Sequence, residues 1–306
     1  MGRNVITVRG PIPAEEMGLT LPHEHIMVDF VGADKTGPDR YDPEEVKHIM
    51  LPYLREIREF GVKSFVECTP MYLARDPNVL RDLALASGLN ILTNTGQYKE
   101  PFLPATTFDV SADQLADSWL NEVENGIDDT GVKPGFIKTA VEPTPLAPTQ
   151  QKVIRAAAIV SRKTGLTIAT HTGIAQSALE IISILESAGV DPAKWIFVHA
   201  QNEANMEDLV KVAHTGAWIS LDGLGPDSAE RHIRSLKVLL DSGFQDKILL
   251  SHDAGWYHVG EERGGIVRPF TYLFKEFLQA AEEQGIDKDT LHTLTAVNPG
   301  QAYAVG

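Results

Sequence analysis

Eight short runs of apolar and β-branched residues recur along the 306-residue chain, with helical patterns between them. The runs are LTLPHEH (19–25), KSFVECT (63–69), NILTNTG (90–96), GFIKTAV (135–141), LTIATHT (166–172), WIFVHA (195–200), AWISLDG (217–223) and KILLSHD (247–253). Apolar residues recur at i, i+3 and i+4 over 44–61, where Pro52 is placed to kink a helix, and over 150–165, 177–189 and 227–243. Each of these stretches closes on the glycine expected at a helix C-terminus. Such alternation predicts a parallel sheet, and eight strand–helix units is the number that closes a (β/α)8 barrel. The competing arrangement, an open doubly wound sheet, normally carries a glycine-rich phosphate turn after its first strand, and no GxGxxG occurs here. We therefore expect one α/β domain over residues 1–306, a (β/α)8 TIM barrel with its chemistry at the C-terminal ends of the strands.

The ionisable residues fall where that expectation needs them. His23 and His25 end the first run, one residue apart, so in an extended strand they share a face while Glu24 turns away. Lys138 lies near the end of the fourth run, His171 ends the fifth, His199 the sixth and Asp253 the eighth. Positions 138, 171 and 199 are spaced by about 30 residues, one strand–helix unit, which sets them side by side on one rim. Alternation places Thr167, Ala169 and His171 on one face, and Leu249, Ser251 and Asp253 on another, so that Asp253 rather than His252 points inward. Each residue has an ordinary reading too. An HxH pair occurs in surface loops, a histidine at a strand end is commonly structural, a lysine can snorkel and an aspartate can cap a helix. Taken in strand order, these readings require several coincidences. Four histidines and an aspartate converging on a barrel mouth suit zinc, iron, manganese or cobalt.

Composition narrows the choice further. The single cysteine, Cys68, rules out an intramolecular disulfide and the Cys-rich zinc sites, and its apolar run SFVECTP predicts a buried thiol. A formal net charge of −15 argues against nucleic acid and anionic membranes as partners. No stretch is long and apolar enough to span a bilayer, and MGRNVITVRG lacks the apolar core of a signal peptide. A cytoplasmic location is expected, with a trimmed secreted form as the alternative.

Read together, HEH on the first strand, GFIK on the fourth, THTG on the fifth, VHAQN on the sixth and SHDAG on the eighth resemble the phosphotriesterase family of the amidohydrolase superfamily. The resemblance extends to the closing NPGQAYAV. It implies two divalent metals, zinc first, with iron, manganese or cobalt as alternatives. His23, His25 and Asp253 would hold the more buried ion, and His171 and His199 the more exposed one. Lys138 would carry CO₂ as a carbamate bridging both, because an ammonium beside two cations is repelled and poorly solvated whereas the neutral amine captures CO₂. A metal-bridging hydroxide would then attack an ester, lactone, amide or phosphoester, with Asp253 as the catalytic proton acceptor and His252 or the strand-six loop as candidate relays. The family also implies a homodimer. Two positions depart from its better-known members. Ala200-Gln201-Asn202 follows His199 where many carry an acid, and Gly223 stands where lactonases typically place an arginine.

The loops after the strands should shape the pocket. GQYKEPFLP offers Tyr98 and Lys99, and AGWYHVGEERGGIVRPF offers Trp256, Tyr257, His258, Arg263 and Arg268, with Gly264-Gly265 as a hinge for a lid. Aromatics beside cations suit a small-molecule substrate with an anionic group. The alternative pairs Arg263 and Arg268 with Glu261 and Glu262 and buries Trp256 and Tyr257 between subunits. Two other functions compete with the hydrolase: a non-hydrolytic metal-binding barrel, and an aldolase that uses Lys138 as a Schiff base.

Overall fold

The computed structural model describes residues 3–306. A hairpin of β1 (Asn4–Thr7) and β2 (Gly10–Pro13) comes first. Parallel strands and helices then alternate: β3 (Thr20–Val28), α1 (Pro43–Glu59), β4 (Ser64–Glu67), α2 (Pro77–Ser87), then β5 (Asn90–Leu92) continuing as β6 (Asn94–Thr95). The short α3 (Thr106–Asp109) and α4 (Ala112–Asn125) lead to β7 (Phe136–Ala140), α5 (Pro148–Thr164), β8 (Ile168–His171) and α6 (Ala175–Ser187). After them come β9 (Trp195–Val198), α7 (Met206–His214), β10 (Trp218–Leu221), α8 (Ala229–Asp241) and β11 (Ile248–Leu250). One further strand, β12 (Gly255–His258), and the helices that start with α9 (Leu278–Glu283) complete the chain. This is a (β/α)8 barrel, and every one of the eight runs contributes a barrel strand. Among the described residues no helix is long and apolar enough to cross a membrane.

Local chemistry explains the helix boundaries. Asp42 caps α1 by accepting the Glu44 N–H, and Pro43 occupies the first helical position, where its missing N–H costs nothing. α1 runs on through Pro52. At the other end of the pattern, α5 closes on Gly165 in the left-handed conformation.

Two apolar layers follow from strand alternation. Residues on the outer face of the strands pack under the helices, while Val66, Cys68, Leu92, Phe136, Ala169, Ile196, Val198, Trp218 and Leu249 fill the barrel interior. Cys68 is fully buried there, and burial pushes its thiol up, away from the reactive thiolate. Val5, Met17, Ala302 and Tyr303 close the floor, where the Tyr303 hydroxyl donates to the Pro22 carbonyl at 2.9 Å. Strands one and eight meet through Asp253 N–H to His23 C=O at 3.1 Å, His25 N–H to Ala254 C=O at 2.9 Å and His23 N–H to Ser251 Oγ at 3.0 Å. The opposite end of the interior is polar.

Candidate metal centre

His23, His25, Lys138, His171, His199 and Asp253 line one cavity of about 70 Å³ at the C-terminal ends of the strands. Alternation accounts for three of the six. Phe136 faces the interior, so Lys138 does too; Ala169 brings His171 inward, and Leu249 brings Asp253. His199 is different. Its neighbour Phe197 faces the helices, and regular alternation would send His199 the same way. Instead its backbone adopts φ 61°, a left-handed conformation that swings the imidazole over the cavity. Asp253 is also left-handed, at φ 53°. Gly96, at φ 107°, lets the third strand press against the Lys138 peptide, because a Cβ there would lie 2.2 Å from the Lys138 carbonyl oxygen.

The imidazoles are braced from behind. His25 Nδ1 lies 2.8 Å from Thr69 Oγ1, and since that hydroxyl donates to the Met27 carbonyl, it must accept from His25. Asp222, fully buried, accepts from His199 Nδ1 at 2.7 Å and His23 Nδ1 at 3.1 Å. The Asp222 carboxylate also takes the Ser220 hydroxyl, the His199 N–H and the Gln201 amide. These bonds place the protons of three rings on Nδ1 and turn their Nε2 lone pairs outward. His25 Nε2 and His23 Nε2 sit 3.0 and 3.5 Å from Asp253 Oδ1, and Lys138 Nζ is 3.4 Å from His23 Nε2. Across the cavity, His171 Nδ1 meets the Tyr98 hydroxyl at 3.0 Å and Nε2 meets Lys99 Nζ at 3.4 Å.

Electrostatics keep this donor set available. Burial, with Lys138 adding to it, lowers His23 to about 4, and burial together with His199, Lys99 and Lys138 lowers His171 to about 2. Both rings are therefore neutral at pH 7. Burial would raise Asp253, yet the rings of His25, with Nε2 3.0 Å away, His23 and His199 hold it down at about 2 whenever they carry a second proton. The same balance keeps Asp222 well below the usual carboxylate range, and Asp222 in turn raises His199 against the effect of burial. Ligand atoms of His23, His25 and Asp253 fall within 4.8 Å of one another. Imidazoles whose Nδ1–H groups are already spent on acceptors, set beside an ionised carboxylate, are the donors that divalent transition metals take, and the residues fit such a centre.

Comparison with known proteins gives the site a lineage. The phosphotriesterase family model matches residues 3–303. The chain belongs to the phosphotriesterase family. It is 30% identical to an aryldialkylphosphatase of Saccharolobus solfataricus over 96% of this chain and 97% of that one. It is 28% identical to a phosphotriesterase homology protein of Escherichia coli over 94% and 98%. It is 26% identical to the N-acetyltaurine hydrolase of Mus musculus over 97% of each.

For a phosphotriesterase-family chain, the two departures noted in the sequence turn out to be one feature. The Gln201 amide brackets Asp222, accepting its N–H and donating to its carboxylate, and a Cβ on Gly223 would come within 2.6 Å of Gln201 Nε2. A larger residue at 223 would have to displace Gln201.

Four expectations need correction. His252 is no relay: its Nδ1 donates to Glu24 at 2.6 Å and its Nε2 accepts the Leu273 N–H at 2.9 Å, so it faces away from the cavity with both nitrogens engaged. Tyr257 turns out of the pocket toward α1, where its hydroxyl donates to Glu45 at 3.2 Å; burial and that carboxylate push it up to about 12. Arg263 is exposed and lies off the cavity lining; Lys99, His258 and Arg268 are off it too, but each adjoins a lining residue, Lys99 at His171 and the other two at Trp256. Gly264 is no free hinge, since its missing side chain makes room for the Tyr257 ring, and β12 pairs with β3. Trp256 does line the cavity, edge-on to His25 at 4.9 Å, with His258 beside it at 6.0 Å. Among the described residues neither Arg263 nor Arg268 pairs with Glu261 or Glu262.

Sequence reasoning missed Asp222, Thr69, Glu24, Phe30 and Phe102. Asp222 was within reach, because Trp218 faces inward and alternation carries through Ser220 to Asp222. Phe30 contacts Phe102 and Trp256 at 5.6 and 5.4 Å, which adds an aromatic wall to the mouth. Nothing in FVGAD marked it.

Proposed function

We propose that the protein is a metal-dependent hydrolase of a small molecule, cleaving an ester, lactone, amide or phosphoester bond. The single observation that carries this reading is the convergence of His23, His25, Lys138, His171, His199 and Asp253 on one cavity, with three rings braced through Nδ1. His23, His25 and Asp253 would hold one cation, His171 and His199 a second, and Lys138, as a carbamate, both; zinc is the first choice. When bound, the cations supply an acidified water and polarise the scissile carbonyl or phosphoryl oxygen.

The chain's own residues do the rest. Asp253 keeps an ionised carboxylate partly open to the cavity and serves as the proton acceptor. Tyr98, whose hydroxyl burial holds protonated, and Lys99 stand beside His171 as donors toward the substrate. Trp256, Phe30 and Leu73 form an apolar wall that limits water. The relatives' names cover both phosphoester and amide cleavage, which supports a hydrolase and leaves the bond type to experiment.

Metal analysis of protein from zinc-supplemented cells should give about two equivalents per chain, and Lys138→Ala should lose metal together with hydrolysis in a screen of lactones, N-acyl amino acids and aryl phosphotriesters. An active, metal-free wild type would end the proposal. Borohydride trapping of a carbonyl substrate on Lys138 would favour the aldolase instead.

A further inference from the structure

Two cationic side chains adjoin residues that line the cavity without lining it themselves, Lys99 beside His171 and Arg268 beside Asp253 and Trp256, and the fold treats them differently. Lys99 Nζ lies 2.8 Å from Glu142 Oε1, so its charge is already matched. Arg268 is exposed and, among the described residues, makes no ion pair. Other contacts orient it. Its backbone exchanges hydrogen bonds with Gly255 at 2.9 and 3.0 Å, and its guanidinium carbon lies 5.3 Å from the centre of the Trp256 ring. Nη2 donates to the Asp253 carbonyl, which also accepts Trp256 Nε1–H at 3.0 Å. Trp256 itself is held at φ 75°, an unfavourable backbone for a bulky residue. One hydrogen bond and a stack thus fix the plane of the guanidinium, and its remaining N–H groups have no protein partner among the described residues.

We propose that Arg268 is a specificity-determining residue that takes a carboxylate or sulfonate on the substrate. The proposal rests on the hydrolase reading above and narrows its substrate. A planar guanidinium fork matches a carboxylate or sulfonate face through two parallel bonds, and stacking on an indole removes much of the entropy cost of orienting it. Arg268 touches the main chain of the residue whose carboxylate faces the reacting end of the cavity. An anionic group held by Arg268 would therefore lie on the Asp253 side of the substrate. Phe30, Leu73 and Trp256 leave an apolar space suited to a short acyl group. The substrate class is a short-chain acyl derivative of a small amino or hydroxy acid.

The test separates this role from the hydrolase reading by measuring binding as well as turnover. N-acetyl-β-alanine and its uncharged amide are titrated calorimetrically into the metal-loaded wild type, Arg268→Met and Arg268→Lys. The wild type should bind the acid at least about tenfold tighter than the amide, the scale of a charge-assisted pair. Arg268→Met should bring the acid down to the affinity of the amide while the amide changes less than about twofold, and Arg268→Lys should recover part of the preference. Equal weakening of both ligands in Arg268→Met would mean that Arg268 only positions Asp253 and Trp256, and would overturn the proposal. So would a wild type that fails to discriminate or binds neither. A preference for the acid without hydrolysis of any substrate in the screen would leave the anion site standing and sink the hydrolase reading alone.

Discussion

On the strand-one side of the cavity each imidazole is held from behind by a buried acceptor, His25 by Thr69 and His23 by Asp222. Across the cavity His171 is partly exposed and has the Tyr98 hydroxyl and the Lys99 ammonium beside it. The difference is one of bracing. A ring whose Nδ1–H is spent on a buried acceptor has one tautomer and one orientation, whereas His171 can turn if Tyr98 or Lys99 moves. The side facing the substrate loops is thus the adaptable one, and the side facing the barrel interior is set by the core.

The sharpest way to break the contrast is Asp222→Ala, which removes the acceptor shared by His23 and His199 from a fully buried position. Loss of one partner from such a buried network should cost about 3–5 kcal/mol in urea denaturation. Next, Thr69→Val and Tyr98→Phe compare the two sides directly. Thr69→Val should lower zinc affinity about 10–100-fold in a chelator titration, and Tyr98→Phe by less than Thr69→Val. The reverse order would mean that the braced side carries no special weight.

The smallest effect is a slope. His23 and His171 have folded values below the unfolded histidine value, so between about pH 6.5 and 4 the unfolded chain binds protons that the folded chain refuses. Stability of the chelator-treated protein should be full above pH 6.5 and fall as the pH drops through that window. His199, raised by Asp222, acts with the opposite sign. Replacing His171 by Asn should flatten the fall by no more than about 1.4 kcal/mol per pH unit in denaturation curves. An unchanged slope would show that His171 is solvated in the free protein.

The barrel could be read from the sequence because its signal is repetitive: apolar runs of period two separated by helical stretches. His171 and Asp253 followed from the same alternation, and Lys138 from its place near the end of the fourth run. His199 reached the cavity against it, through a left-handed backbone that no residue type announces, and its placement rested on motif order alone. Glu24 was expected only to turn away from its two neighbours. Its acceptance of Ser251 Oγ, both His252 donors and the Ala254 N–H depends on a strand 227 or more positions distant, which periodicity does not register. β12 was read as loop, since a short aromatic stretch after a completed strand gives no hint that it will add to β3.

That Glu24 carboxylate has a consequence for how the molecule comes to be active. It is the rivet of the last seam, and it lies between His23 and His25. Sealing the cylinder and aligning the first two imidazoles with Asp253 are therefore a single event. A barrel left open along that line would lack the His23–His25–Asp253 half of the centre while keeping the half built from His171 and His199.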